Sequence, residues 1–110
     1  MPKRSDDMLG TLELIVLLSL LSLGTEAYGI PIRDEIHRRI GRHISFGAVY
    51  VTLQRLAGKG LVESRLGEPT AERGGRAKKF FRVTKAGLQA VRRSQDAIKA
   101  MSVRREQPAR

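Results

Sequence analysis

The 110-residue chain has no cysteine. Disulfide staples, thiolate nucleophiles and Cys-ligated zinc are therefore all excluded. Its only two histidines, His37 and His43, stand six residues apart without a cluster of acids around them, which is too little for a metal site. Tryptophan is absent and aromatics make up 5%, so a core drawn from the 41% hydrophobic residues must be aliphatic. No Ser-His-Asp grouping, phosphate-cradling glycine loop or paired catalytic carboxylate stands out, and neither an enzyme nor a cofactor is expected. Acid is scarce as well. Eleven Asp and Glu stand against 21 Lys and Arg, giving +10, and a polyanion becomes the leading partner.

A membrane-length hydrophobic run is also missing. Leu9 to Leu23 contains ten Leu, Ile or Val residues, but it falls short of the ~20 apolar residues a span requires. It carries Glu13, and Asp6 and Asp7 sit where a signal peptide needs positive charge. The run reads as a helix buried on most sides of a small core, in a cytoplasmic protein with no membrane association.

Charge is spread unevenly. Residues 1–24 total −1, 25–59 +3, 60–67 zero, 68–82 +3 and 83–110 +5, so the first helix is scaffold and the later segments meet the partner. Gly24-Thr25 ends that helix, and Gly29 with Pro31 opens a second that runs to about Ile40. Ile32, Ile36 and Ile40 form its apolar stripe, while Asp34 with Arg38 and Glu35 with Arg39 provide exposed i, i+4 ion pairs. Gly41 stops it. Ser45 then reads as the N-cap of a third helix reaching about Gly58. Phe46, Val49, Leu53 and Leu56 are its core positions, leaving Gly47, Ala48, Val51, Gln54 and Arg55 on the other side. That outer face is small and weakly charged.

Gly58 and Gly60 break the third helix. Leu61–Leu66 and Lys79–Thr84 alternate as two strands of a hairpin, with Phe81 and Val83 on one face and Phe80 and Arg82 on the other. Their connection holds Pro69, Gly74 and Gly75 together with Arg73, Arg76 and Lys78, the composition of a long basic loop. Thr84 caps a final helix on which Leu88, Val91, Ile98 and Met101 approach a heptad seam, interrupted by Gln95. Arg92, Arg93, Arg104 and Arg105 read as a solvated face and tail.

Helix, helix, helix, strand, basic loop, strand, helix is the order of a winged helix-turn-helix: mainly α with a small β-hairpin, plus a C-terminal dimerisation helix. In that architecture the third helix enters the major groove and the hairpin loop lies along the DNA backbone. A face of Gly47, Ala48 and Val51 permits close approach and can meet a thymine methyl, while Gln54 and Arg55 can reach base edges or phosphates. The same small face would also suit a neighbouring helix. Arg73, Arg76, Lys78 and Lys79, on the wing, are expected to contact phosphates or the minor groove.

From Met8 to about Met101 the sequence resembles the PadR family of transcriptional regulators. The most specific match is Ile44-Ser45-Phe46-Gly47-Ala48-Val49-Tyr50, followed by Leu53-Gln54-Arg55-Leu56 and Gly60-Leu61-Val62, which is similar to that family's recognition helix and its exit. Supporting it are Gly10-Thr11-Leu12-Glu13-Leu14, Ala27-Tyr28-Gly29-Ile30, the wing Gly75-Arg76-Ala77-Lys78-Lys79-Phe80-Phe81, and Thr84-Lys85-Ala86-Gly87. The resemblance implies a winged helix that dimerises through its C-terminal helices and mostly represses nearby genes. It also makes Tyr50 a phosphate contact as readily as a packing residue, with Tyr28 a weaker case of the same choice. The chain is similar to the short members, which lack an added C-terminal domain. Some of those bind flat aromatic drugs between dimer-related tryptophans, a route closed to a chain without Trp.

The resulting expectation is a winged helix-turn-helix over residues 1–84, a dimerisation helix over 85–105 carrying Leu88, Val91, Ile98 and Met101, and a disordered tail over 106–110. Its DNA-binding set is Ser45, Gly47, Ala48, Tyr50, Val51, Gln54, Arg55, Arg73, Arg76, Lys78 and Lys79. The partners are double-stranded DNA, as an inverted-repeat operator, and a second copy of the chain; the sequence specifies no small-molecule effector. A non-specific nucleic-acid binder and a protein-binding winged helix are the competing functions.

Overall fold

The computed structural model describes residues 8–68 and 78–102. Its elements follow the expected order: α1 (Thr11–Leu23), a 3-10 turn (Gly24–Glu26), α2 (Gly29–Ile40), α3 (Phe46–Gly58), β1 (Val62–Leu66), β2 (Lys79–Val83) and α4 (Lys85–Ser102). The nearly continuous apolar sequence of α1 places it centrally. Val16, Leu17 and Leu20 are buried, yet Leu18 and Leu21 remain 37% and 45% exposed. Glu13 steadies its first turn by accepting the Gly10 amide at 2.9 Å.

Gly41, at φ 70°, ends α2 in the left-handed conformation that glycine adopts without a Cβ clash, and its N–H returns to the His37 carbonyl. Ser45 caps α3: its Oγ accepts the Ala48 amide at 3.0 Å. Ile32 and Ile36 from α2 meet Val49, Leu53 and Leu56 from α3 in one core with α1, Val62, Phe81 and Val91. Each such side chain contributes roughly 1.5–3 kcal/mol by leaving water.

The hairpin is antiparallel, Val62 opposite Val83 and Leu66 opposite Lys79. At its base the Gly67 amide donates to the Lys78 carbonyl at 2.7 Å. A contact that local pattern does not encode enlarges it: Tyr28 bridges Phe80, and the Phe81 amide donates to the Ala27 carbonyl at 2.8 Å. The segment before α2 thus acts as a rudimentary third strand. Thr84 then couples sheet to α4, accepting the Gly87 amide at 3.0 Å and donating to the Gly60 carbonyl at 2.8 Å.

Three local expectations need correction. Phe46 is 44% exposed; its ring lies against Gly29, where any Cβ would collide with it, so it packs across the α2 entrance rather than inward. Ile40 is 50% exposed and lines a surface depression with Ile15 and Leu18 of α1 rather than entering the core. Glu35 is buried, not exposed. Ser22 on α1 donates to it at 2.8 Å, Arg38 hydrogen-bonds it, and Arg39 lies 3.6 Å away. The expected Glu35–Arg39 pair therefore forms, while Asp34 meets Arg33 at 3.7 Å in place of Arg38. Helix packing explains the change, since α1 crosses the side of α2 that carries Glu35.

Candidate nucleic-acid interface

Because Val49, Thr52, Leu53 and Leu56 turn inward, the opposite side of α3 is free of the core. Gly47, Val51, Gln54 and Arg55 are exposed and Ala48 is half-buried. Thr52, polar by type, stays inside by donating its hydroxyl to the Ala48 carbonyl at 2.8 Å. No acid occurs between Ser45 and Lys59, so α3 presents a small, apolar-to-basic surface. Ser45 is exposed at its leading end with its oxygen engaged as cap acceptor, which leaves the hydroxyl hydrogen for an outside acceptor.

Tyr50 lies half-buried beside this face, packed on the core and stacked at 6.3 Å with Phe46. Lys79 Nζ lies 6.0 Å from the Tyr50 ring centre and 5.9 Å from that of Phe81, bringing the wing base alongside α3. Lys78 Nζ sits 4.7 Å over Tyr28, whose ring meets Phe80 edge-on at 5.1 Å; Arg65 covers Phe80 at 4.6 Å. Two lysines and an arginine are thus organised on aromatic rings in a cation–π arrangement. Sequence reading named Lys78 and Lys79 but not Arg65 or the supporting role of Tyr28 and Phe80. Arg65 and Phe80 do face each other in the register, so only the pairing could have revealed them. Arg73 and Arg76 lie outside the described residues.

Behind the face, Lys59 at the end of α3 bonds Glu13 of α1 at 2.8 Å. Burial raises the Glu13 pKa, but the Lys59 hydrogen bond, the Gly10 amide and the charges of Lys59 and Arg55 together hold it below its ordinary value. Glu35 is likewise held down, first by Arg38 and then by the Ser22 hydroxyl, against the opposing effect of burial. Among the described residues no group of three or more metal-ligating side chains occurs.

The expected seam on α4 divides in two. Val91 is 2% exposed and belongs to the core of its own chain, so it is not a surface residue of the seam. Leu88 is half-buried, whereas Ile98 and Met101 are 56% and 84% exposed. Anchoring by Gly87 explains the split. Its backbone sits so close to the Leu61 carbonyl and Val83 that the first half of α4 must pack on the hairpin, while the second half projects.

These features define a winged helix-turn-helix: a capped helix with a small outer face, a preceding helix that braces it, and a basic hairpin at its side. Residues 17–93 match the Transcriptional regulator PadR-like family, and the chain belongs to that family. It is therefore of a family of transcriptional regulators rather than enzymes. Solved structures agree in fold. A PadR family transcriptional regulator from Eggerthella lenta is 27% identical at a TM-score of 0.67, covering 84% of this chain and 75% of that one. A PadR-like regulator from Bacillus cereus is 24% identical at 0.67, covering 84% and 85%. A PadR family regulator from Clostridium difficile is 22% identical at 0.64, covering 82% and 93%. No curated protein matches the chain. Among the described residues no helix is long and apolar enough to cross a membrane.

Proposed function

We propose that the protein is a homodimeric repressor that reads an inverted-repeat operator in the cytoplasm, with α3 in the major groove and the wing on the backbone. The observation that carries this reading is the contrast between the two surfaces. The outer face of α3, Gly47, Ala48, Val51, Gln54 and Arg55, is small and nearly uncharged, whereas Lys78, Lys79 and Arg65 cluster at the wing base. Pure phosphate binding would favour charge on both. In this division of work Val51 meets a thymine methyl, Gln54 and Arg55 reach base edges, and Ser45, Tyr50 and the wing residues Arg73, Arg76, Lys78 and Lys79 engage the backbone.

Dimerisation is supported by the projecting end of α4, whose Ile98 and Met101 are exposed beyond what a monomer needs, together with Leu18 and Leu21 on α1. Residues 85–105 then act as the dimerisation helix of the 1–84 winged domain; residues 103–105 and the expected 106–110 tail lie outside the described residues. Two recognition helices related by a two-fold axis require half-sites spaced by one helical turn or a multiple. The test is binding of selected and scrambled duplexes at several salt concentrations, with Arg55→Ala beside the wild type. The loss should shrink the gap between the two DNAs by roughly 1–3 kcal/mol at one base position. Equal affinity of the wild type for both DNAs would leave a non-specific binder, and no DNA binding at all would leave a protein-docking winged helix.

A further inference from the structure

His37 and His43, set aside by sequence as too few for a metal site, are brought together by the fold. Gly41 reverses the chain after α2, and the two rings stack with centroids 3.9 Å apart and planes inclined at 26°. Both side chains are exposed. They stand at a shallow depression of about 560 Å3 lined also by Arg33, Asp34, Ile44 and Ser45. Ser45 is the N-cap of α3, so the pair borders the end of the recognition helix that leads into the groove.

Beside the pair stand two arginines, Arg33 and Arg42, and one acid, Asp34, which engages Arg33. From α2, Arg33 and Asp34 reach the rim and contact each other at 3.7 Å. Arg42 is exposed on the turn beside His43. Arg38 and Arg39, the other nearby cations, are both drawn to Glu35 on the side of α2 packed against α1. At the entry to α3, the N-cap Ser45 lines the depression. An oxyanion placed against the two rings accepts their N–H groups, in charge-assisted hydrogen bonds where a ring is cationic.

We propose that His37 and His43 form a phosphodiester-binding site on the DNA backbone at the helix-turn-helix corner, and that DNA binding there is coupled to proton uptake by the pair. This inference rests on the DNA-binding reading. Neutral imidazoles serve as weak contacts, whereas a protonated one binds the phosphate as a cation. Affinity rises as pH falls through the histidine range, by up to about tenfold per pH unit for each proton taken up. The backbone is the same in every sequence, so the response is shared by specific and random duplexes.

The experiment measures binding from about pH 8 to about pH 6, at constant ionic strength, using the best-bound duplex selected from a random pool and a scrambled duplex. The proteins are the wild type, His37→Gln, His43→Gln and the double variant, and circular dichroism checks that each stays folded across the range. The wild type should bind both duplexes more tightly at low pH, and the double variant should lose that response. In parallel, the imidazole NMR resonances should shift with duplex but not with inorganic phosphate at equal ionic strength. A pH-independent wild type, a double variant that keeps the response, or resonances that move equally with free phosphate would each overturn the proposal. Binding without a pH response refutes only this site, whereas no binding of either duplex at any pH refutes the DNA-binding reading itself.

Discussion

Gly47 and Gly87 give the sharpest test of which features serve DNA and which serve the fold. Gly47 lies in the first turn of α3, and a Cβ there would meet nothing nearer than the Ser45 Oγ, 4.0 Å away. Alanine at this position reduces the freedom of the unfolded chain and should stabilise by about 0.5 kcal/mol, the lower end of the usual range because the site is near a helix end. For a domain of this size that raises Tm by roughly 2–4 °C. The added methyl stands on the face proposed to approach the bases, where it should weaken selected-duplex binding by about 1 kcal/mol or more, at least about fivefold. Gly87→Ala is the opposite case. Its Cβ would fall 2.7 Å from Val83 Cγ1 and closer still to the Leu61 carbonyl, an overpacking worth about 1–3 kcal/mol against rigid backbone. Thermal melts and DNA titrations of both variants decide the matter. If Gly47→Ala lowers Tm, or raises it while binding DNA as tightly as the wild type, the small face is not kept small for DNA.

Ile98→Asp should yield monomers whose core stays folded, since Ile98 is 56% exposed in the single chain; a variant that sediments as a dimer would remove α4 from the interface. Lys78→Ala with Lys79→Ala should weaken selected and scrambled duplexes alike and flatten the slope of log K against log salt by about 0.9 for each phosphate that is no longer neutralised. An unchanged slope would take the wing base off the backbone. Glu13 has its folded pKa lowered below the ordinary 4.5, so its contribution is fully present above that value and is lost as pH falls through the lower, folded one. Glu13→Gln should therefore destabilise at neutral pH and reduce the steepness of acid unfolding below pH 4.5; identical acid profiles would mean that the Lys59 link adds nothing.

Short-range chemistry explains why so much of this architecture is legible in the chain alone. Gly41 and Ser45 mark a helix end and a helix start through their own backbone and side-chain bonding, and both act as read. Spacing on α3 separates Val49, Leu53 and Leu56 from Gly47, Val51, Gln54 and Arg55 because helical geometry is fixed at about 100° per residue. Periodicity cannot say what covers an apolar or charged stripe. Phe46, Ile40 and Val91 all fit their helical patterns, yet the first two are half exposed and the third is enclosed. Glu35 reads as a surface charge until α1 supplies Ser22 from thirteen residues away. The Tyr28–Phe80–Lys78–Arg65 cluster and the His37–His43 stack depend on chain reversals that juxtapose residues with no local preference for each other. Dihedral and hydrogen-bonding preferences act within a few residues and are written into sequence. Burial, pairing and the grouping of charges act through space, and exist only once the helices and hairpin have met.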